Sequence, residues 1–168
     1  MSDNCPNDSN PLQGNTDGDA QGDACDSDDD NDGITDNSPD DCPRGGAANW
    51  GSTQNFDDPA NSTDWDRDGC KDDVEDADMD NDGVENDVDL CPRSSYQPPR
   101  PTWVSDSITD VDGDGCRDAD EDTDDDGDGF EDVSDDCPTV VGNSTLGEEG
   151  CQDNDGDGWS NNFDDCPN

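Results

Sequence analysis

The stretch from Asp64 to Pro92 carries acidic side chains at alternating positions, twice in succession, and closes with Leu-Cys-Pro. In each half, carboxylates at the first, third and fifth positions precede a glycine, a spacing at which three side chains of a tight loop point inward together. A hard divalent cation takes six to eight oxygen ligands, and a seventh-position carbonyl with side chains at the ninth and twelfth positions completes such a shell. The spacing therefore predicts two calcium loops in tandem.

The same pattern recurs along the chain and predicts seven loops, whose seventh residues contribute backbone carbonyls. Loops 1 and 2 have their predicted ligands at Asn15, Asp17, Asp19, Gln21, Asp23 and Asp26, and at Asp28, Asp30, Asp32, Ile34, Asp36 and Asp40. Loops 3 and 4 have theirs at Asp64, Asp66, Asp68, Cys70, Asp72 and Glu75, and at Asp78, Asp80, Asp82, Val84, Asn86 and Asp89. Loops 5 and 6 have theirs at Asp110, Asp112, Asp114, Cys116, Asp118 and Glu121, and at Asp124, Asp126, Asp128, Phe130, Asp132 and Asp135. Loop 7 has its ligands at Asp153, Asp155, Asp157, Trp159, Asn161 and Asp164.

Two loops depart from the pattern. Loop 1 has Ala20 where the others have glycine, which strains a bend that favours glycine. Loop 2 closes at Asp40, one residue late, because Pro39 is inserted. Seven loops predict at least seven calcium ions, and more if Asp26, Asp76 and Asp122 bridge neighbouring loops.

Composition excludes an ordinary globular core. Hydrophobic residues make up 23% of the 168 residues and the formal net charge is −45, values typical of a disordered chain. The acids are periodic, however, and nine cysteines are spread between them. We therefore expect a coreless repeat array with little regular secondary structure, folded by ions and disulfides in an oxidising compartment. An alternative hypothesis is an acidic, disordered calcium buffer. Circular dichroism with and without calcium would distinguish it from the folded array.

Several function classes are disfavoured. The acidic balance opposes binding to nucleic acid, no apolar segment is long enough to span a membrane, and the chain has no histidine for a zinc site. Sensor EF-hands need flanking helices, whereas Cys-Pro follows the loops almost at once. Paired carboxylates are also used by glycosidases, but every clustered acid here has a ligand role, so we expect no enzyme. Because no apolar leader precedes Cys5, we expect a mature or excised piece of a longer chain.

The loops and Cys-Pro pairs divide the chain into repeat units. Unit boundaries are predicted at 3–41, 42–90, 91–136 and 137–165, with residues 166–168 opening a further unit. The second and third units begin with inserts, residues 45–63 and 94–109. The first three units hold two loops each and the fourth holds one.

Asn4-Cys5-Pro6, Asn10-Pro11 and Gly22-Asp23-Ala24-Cys25-Asp26, followed by loop 2 and Cys42-Pro43, resemble a thrombospondin type 3 repeat. The resemblance is close over residues 3–43 and continues as loop plus Cys-Pro to the end of the chain. The long inserts of this chain are similar to those of such repeats in prokaryotic surface proteins. The resemblance implies an elongated, calcium-replete chain wrapped around a line of ions, without a hydrophobic core.

Two disulfide frames fit the order of the cysteines. The frame that the resemblance implies pairs Cys5–Cys25, Cys42–Cys70, Cys91–Cys116 and Cys137–Cys151, and leaves Cys166 unpaired or intermolecular. The shifted frame pairs Cys25–Cys42, Cys70–Cys91, Cys116–Cys137 and Cys151–Cys166, and leaves Cys5. We favour the first, because the spacing of Cys5 and Cys25 matches the family, although sequence alone does not fix connectivity.

The predicted function is a structural calcium-binding stalk or spacer of a secreted or cell-surface protein. The alternative is an adhesin or filament subunit that binds a protein or glycan, or a further copy of itself, through the aromatic residues Trp50, Phe56, Tyr96, Trp103 and Trp159. Those aromatics could equally cover a disulfide or a neighbouring loop. Asn7, Asn61 and Asn143 each begin an Asn-x-Ser/Thr sequence and are candidate glycosylation sites.

Overall fold

The computed structural model describes residues 2–37, 40–45, 48–54, 61–94 and 103–167. These residues contain no α-helix and no extended strand, and Leu146 forms an isolated parallel bridge with Trp159. The expectation of little regular secondary structure is therefore confirmed. A membrane-spanning helix, which would have to be long and apolar, is not found in the part of the chain that the structure describes. Phe56 and Tyr96, two of the aromatics considered above, lie outside the described residues.

The chain forms two compact units. Among the described residues, those up to Asn81 belong to the first unit and those from Asp82 onward to the second. Turns and bends connect the backbone throughout both units.

Carboxylates occupy the interior in place of apolar side chains. Within the described ranges, the buried hydrophobic residues are Trp65 and four disulfide cysteines, whereas many aspartates are buried, including Asp30 and Asp64, which are fully inaccessible. Leu12 and Val133, by contrast, are 95% and 92% exposed. Burying ionised groups without compensation is strongly unfavourable. The described residues therefore hold an interior that requires positive charge rather than apolar contacts.

Four disulfides cross-link the chain. They join Cys5 to Cys25, Cys42 to Cys70, Cys91 to Cys116 and Cys137 to Cys151, with Cα–Cα distances of 5.0 to 5.7 Å. This is the frame that the resemblance implies, and Cys166 is free and exposed. Each bridge closes a short stretch of chain and so restricts the unfolded ensemble, which stabilises a fold without a core.

The acidic loops share a left-handed residue at their fourth position. The fourth residue of every loop has a positive φ; these residues are Gly18, Asn31, Arg67, Asn81, Gly113, Gly127 and Gly156. The six glycines at the sixth position also have positive φ, between 88 and 99°. Two left-handed residues in so short a stretch bend the chain back on itself, which lets the carboxylates of the first, third and fifth positions converge. Ala20 of loop 1 is not among the residues with positive φ, so this loop forms without the left-handed bend at its sixth position.

Candidate metal centres

Carboxylates converge at each of several loops. Groups of three acids with ligand atoms within 4.8 Å of one another include Asp17 with Asp19 and Asp26, Asp28 with Asp30 and Asp32, Asp64 with Asp66 and Asp68, Asp78 with Asp80 and Asp82, and Asp110 with Asp112 and Asp114. Each of these acids was predicted as a ligand from the loop spacing. The structure thus brings the first, third and fifth positions together in four of these loops. In loop 1 the third, fifth and closing positions meet.

Backbone amides orient these carboxylates. In all seven loops the amide of the seventh residue donates to the carboxylate of the fifth, for example Ile34 to Asp32 at 2.6 Å and Phe130 to Asp128 at 2.9 Å. The amide of the sixth residue donates to the first carboxylate in loop 6, where the distance from Gly129 to Asp124 is 2.9 Å. Short side chains that accept bonds from nearby amides favour such turns over helix or sheet.

In loops 1, 2, 3, 5, 6 and 7 the ninth residue closes the loop. Its carboxylate or amide oxygen accepts the amide of the second residue, as in Asp72 with Trp65 at 2.7 Å and Asn161 with Asn154 at 2.9 Å. The ninth residue also donates its own amide to the residue before the loop, as Asp132 does to Thr123 at 2.9 Å. One oxygen of the ninth side chain therefore holds the loop together, and its role as a ligand stays a prediction.

The closing acids of four loops make the same contact with the Cys-Pro that follows. Asp40, Asp89, Asp135 and Asp164 each accept the amide of the cysteine two residues later, at 2.6 to 2.8 Å. Asp40 is buried and repelled by Asp28 and Asp32 of its own loop. The carboxylate of Asp40, the late closing acid predicted for loop 2, thus lies close to the other acids of that loop.

Loops 3 and 5 have a second candidate at the residue after the predicted closing acid. Burial is the main cause of the raised pKa values of Asp66, Asp112 and Asp114; repulsion from Asp76 raises the first further, and repulsion from Asp122 raises the other two. Glu75, in contrast, accepts the amide of Lys71 at 3.3 Å. Asp76 and Asp122 therefore interact with these loops, and Glu75 and Glu121 stay predicted ligands.

Burial makes these sites electrostatically costly without a cation. Burial, and then repulsion from neighbouring aspartates, raises the pKa of Asp30 to about 7, of Asp66 to about 8 and of Asp112 to about 6. Arg44 partly neutralises the negative charge near loops 1 and 2, since its Nε lies 2.6 Å from Asp29 Oδ2 and 3.6 Å from Asp23 Oδ2. Like-charged carboxylates in close proximity disfavour ionisation unless a cation joins them.

The donor set fits calcium. Several buried carboxylate oxygens in the loops have no hydrogen-bond partner: Asp30 Oδ2, Asp32 Oδ2, Asp40 Oδ2, Asp126 Oδ2 and Asp135 Oδ2. Such oxygens are costly to bury unless they bind a ligand. Hard oxygen donors without nitrogen or thiolate select calcium or magnesium, and flexible loops with many carboxylates favour calcium.

The remaining predicted residues are placed as follows. Loops 6 and 7 follow the common pattern. In loop 7, Asp153 accepts the amides of Gly156 and Gly158, both at 2.8 Å. Trp50 lies beside Lys71, whose Nζ is 5.7 Å from its ring, and Trp159 is 43% exposed. Asn7, Asn61 and Asn143 are exposed. The left-handed fourth position was missed, although glycine or asparagine occupies it in six of the seven loops.

Comparison with known proteins identifies the kind of repeat. The sequence model of the thrombospondin type 3 repeat matches residues 15–49 and 63–97. The resemblance drawn from the cysteines and loops is confirmed over these two segments, which contain loops 1 to 4. The match implies a calcium-binding structural segment, and the acidic clusters fit that function. No curated protein matches the chain.

Proposed function

We propose that this chain is a structural calcium-binding segment, a stalk or spacer of a secreted or cell-surface protein. The observation that carries the proposal is the set of buried carboxylate oxygens without a hydrogen-bond partner in loops 2 and 6. Asp30, Asp32 and Asp40 supply them in the first unit, and Asp126 and Asp135 in the second. The four disulfides indicate an oxidising compartment, which agrees with an extracellular location.

The proposed mechanism is mechanical rather than catalytic. Each bound ion neutralises converging carboxylates and fixes the loop backbone, so that binding free energy becomes folding free energy. Four repeat units with seven loops would hold at least seven ions. Seven divalent ions change the formal charge from −45 to −31, which leaves acids available for further ions at Asp26, Asp76 and Asp122.

Native mass spectrometry of the calcium-saturated protein tests the proposal. We expect seven or more bound ions per chain, and removal of calcium should make the chain sensitive to protease. Three or fewer bound ions, or equal proteolysis rates with calcium and with chelator, would contradict it. Magnesium at the same concentration serves as the control, since magnesium demands a more rigid octahedral shell than these loops offer.

The second candidate function is an adhesin or filament subunit. The observation that favours it is a group of partly exposed apolar side chains in the last repeat, namely Leu146, Trp159 and Phe163, which are 43 to 60% exposed. Filaments in purified protein, or retention on extracellular matrix that Trp159→Ala abolishes, would support this function. A monodisperse monomer that is not retained on matrix would favour the spacer.

A further inference from the structure

Gly150 lies outside every acidic loop, yet it contacts the closing acid of loop 6. A Cβ atom built on Gly150 would overlap the carboxylate of Asp135, with Oδ1 the nearest atom. That same Oδ1 accepts the amide of Cys137 at 2.6 Å, while Oδ2 is buried without a hydrogen-bond partner. Asp135 also repels Asp126 within loop 6. The position of this carboxylate therefore depends on the absence of a side chain at residue 150.

Two hydrogen bonds and a disulfide hold the segment around Gly150 against the end of loop 6. The amide of Asp136 donates to the carbonyl of Glu149 at 2.9 Å, and the amide of Glu149 donates to Asp136 Oδ2 at 3.0 Å. Cys137 and Cys151 are joined immediately beyond this pair. These contacts hold residues 149–151 in place, and the carboxylate of Asp135 packs against them.

Two other junctions repeat the arrangement. The closing acid Asp89 lies where a Cβ on Gly115 would be, and Asp40 lies where a Cβ on Gly69 would be. Gly69 and Gly115 are themselves the sixth-position glycines of loops 3 and 5, and each of them, like Gly150, precedes a disulfide cysteine. The sixth-position glycines Gly33 and Gly129, which precede no cysteine, have no heavy atom within 4 Å of a built Cβ apart from those of their chain neighbours. Contact with a closing acid therefore belongs to the Gly-Cys pair and is separate from the bend at the sixth position.

We propose that Gly150 is a positioning residue for the calcium site of loop 6. By leaving space for Asp135, it lets the second carboxylate oxygen face the other acids of that loop. The inference rests on the proposed calcium binding by loop 6. It extends that function to a residue that no loop pattern includes, because Gly150 lies fifteen positions beyond the closing acid.

Hydrogen exchange of the intact protein during a calcium titration tests this inference. The amides of Asp128, Gly129 and Phe130 donate to carboxylates of loop 6 and should become protected as calcium binds. In Gly150→Ala the calcium concentration for half-protection should rise roughly 10- to 100-fold, the usual effect of disturbing a group that orients a metal ligand. Asp135→Ala should raise it at least as much.

A double substitution shows whether Gly150 acts through Asp135. If it does, Gly150→Ala combined with Asp135→Ala should weaken loop 6 no more than Asp135→Ala alone. Gly18→Ala is the matched control for backbone strain, since Gly18 has a φ of +79°, close to the +76° of Gly150, and open space around a built Cβ. Because Gly18 is the fourth residue of loop 1, this control should disturb calcium binding by loop 1, while the calcium concentration for half-protection of loop 6 should stay unchanged.

A second pair of variants guards against misfolding of Gly150→Ala, which alkylation and peptide mapping of the Cys137–Cys151 bridge would reveal. Asp136 is exposed, and Asp136→Ala removes the carboxylate that accepts the Glu149 amide. This variant should raise the calcium concentration for half-protection of loop 6 about two- to tenfold. Asp136→Asn keeps an acceptor oxygen and should return this calcium concentration to that of the unmodified protein. An unchanged titration in both Gly150→Ala and Asp136→Ala, or full additivity with Asp135→Ala, overturns the inference while leaving calcium binding intact. Absence of any calcium-dependent protection in the unmodified protein overturns the proposed function and the inference together.

Discussion

Protons should partly replace calcium in holding this fold together. Burial, followed by repulsion from Asp32 and Asp40, raises the pKa of Asp30 from 3.8 to about 7. Each pKa unit corresponds to about 1.4 kcal/mol, so ionising Asp30 in the ion-free fold costs up to about 4 kcal/mol. Asp66, whose pKa burial raises to about 8, adds up to about 6 kcal/mol. These costs are comparable with the roughly 5 to 15 kcal/mol that stabilise a whole domain.

The direction of the pH dependence follows from these shifts. The folded, ion-free protein keeps a proton on Asp30 between about pH 4 and pH 7, where the unfolded chain has lost it. The stability of the ion-free fold therefore falls as the pH rises through that range, and for Asp66 it continues to fall to about pH 8. We expect the calcium-free protein to be expanded at about pH 8 and compact at about pH 4.5, and calcium to restore the compact form at pH 8.

Small-angle scattering and tryptophan fluorescence, to which Trp65 contributes from a site only 4% exposed, would measure this transition. Asp30→Asn should imitate acid, making the calcium-free protein more compact at about pH 8 while weakening calcium binding by loop 2. Asp8→Asn, which removes an equal charge from an exposed site, should leave both properties near those of the unmodified protein. Equal dimensions of the calcium-free chain at both pH values would refute the reasoning, as would a compact calcium-free chain at pH 8.

Three further predictions concern single residues. Asp114→Ala should increase hydrogen exchange in loop 5 and at Leu90, whose amide donates to the Asp114 carbonyl at 2.8 Å, but not in loop 1; a uniform increase along the chain would indicate one cooperative domain. Arg67→Asn should raise the stability of the calcium-bound protein by about 1 kcal/mol in thermal denaturation, because Arg67 has a φ of +68° that asparagine tolerates better; an unchanged midpoint would show that this backbone is not strained. Alkylation of the non-reduced protein should label Cys166 and no other cysteine, whereas a label on Cys5 would require the shifted disulfide frame.

The loops could be predicted from sequence because their chemistry is local. Carboxylates at alternating positions before a glycine converge by backbone geometry alone, so Asp28, Asp30 and Asp32 meet as the spacing predicts. The resemblance also supplied the disulfide frame that the structure contains, which spacing by itself left open. The left-handed fourth position carried a readable signal in its glycines and asparagines, but the calcium pattern directs attention to ligands rather than to the residues between them.

Contacts between distant segments could not be predicted in this way. Gly150 precedes a cysteine and belongs to no loop, and only the three-dimensional structure shows that Asp135 occupies the space beside it. Asp76 likewise follows the acid that the spacing selects, and its interaction with Asp66 depends on the direction in which the chain leaves loop 3. Linear spacing specifies a loop, whereas the position of its last ligand depends on how the next segment packs.

The inverted interior, with aspartates inside and Leu12 and Val133 in solvent, also determines how heat acts on the protein. Exposure of apolar surface raises the heat capacity on unfolding and exposure of polar surface lowers it. Because unfolding here exposes mainly polar groups, its heat-capacity change should fall well below the usual value of about 12 to 15 cal/mol/K per residue. The stability of the calcium-bound form should then vary almost linearly with temperature, without the curvature that causes cold denaturation. A calcium-rich cold environment would leave such a chain folded where a protein with an apolar core loses stability.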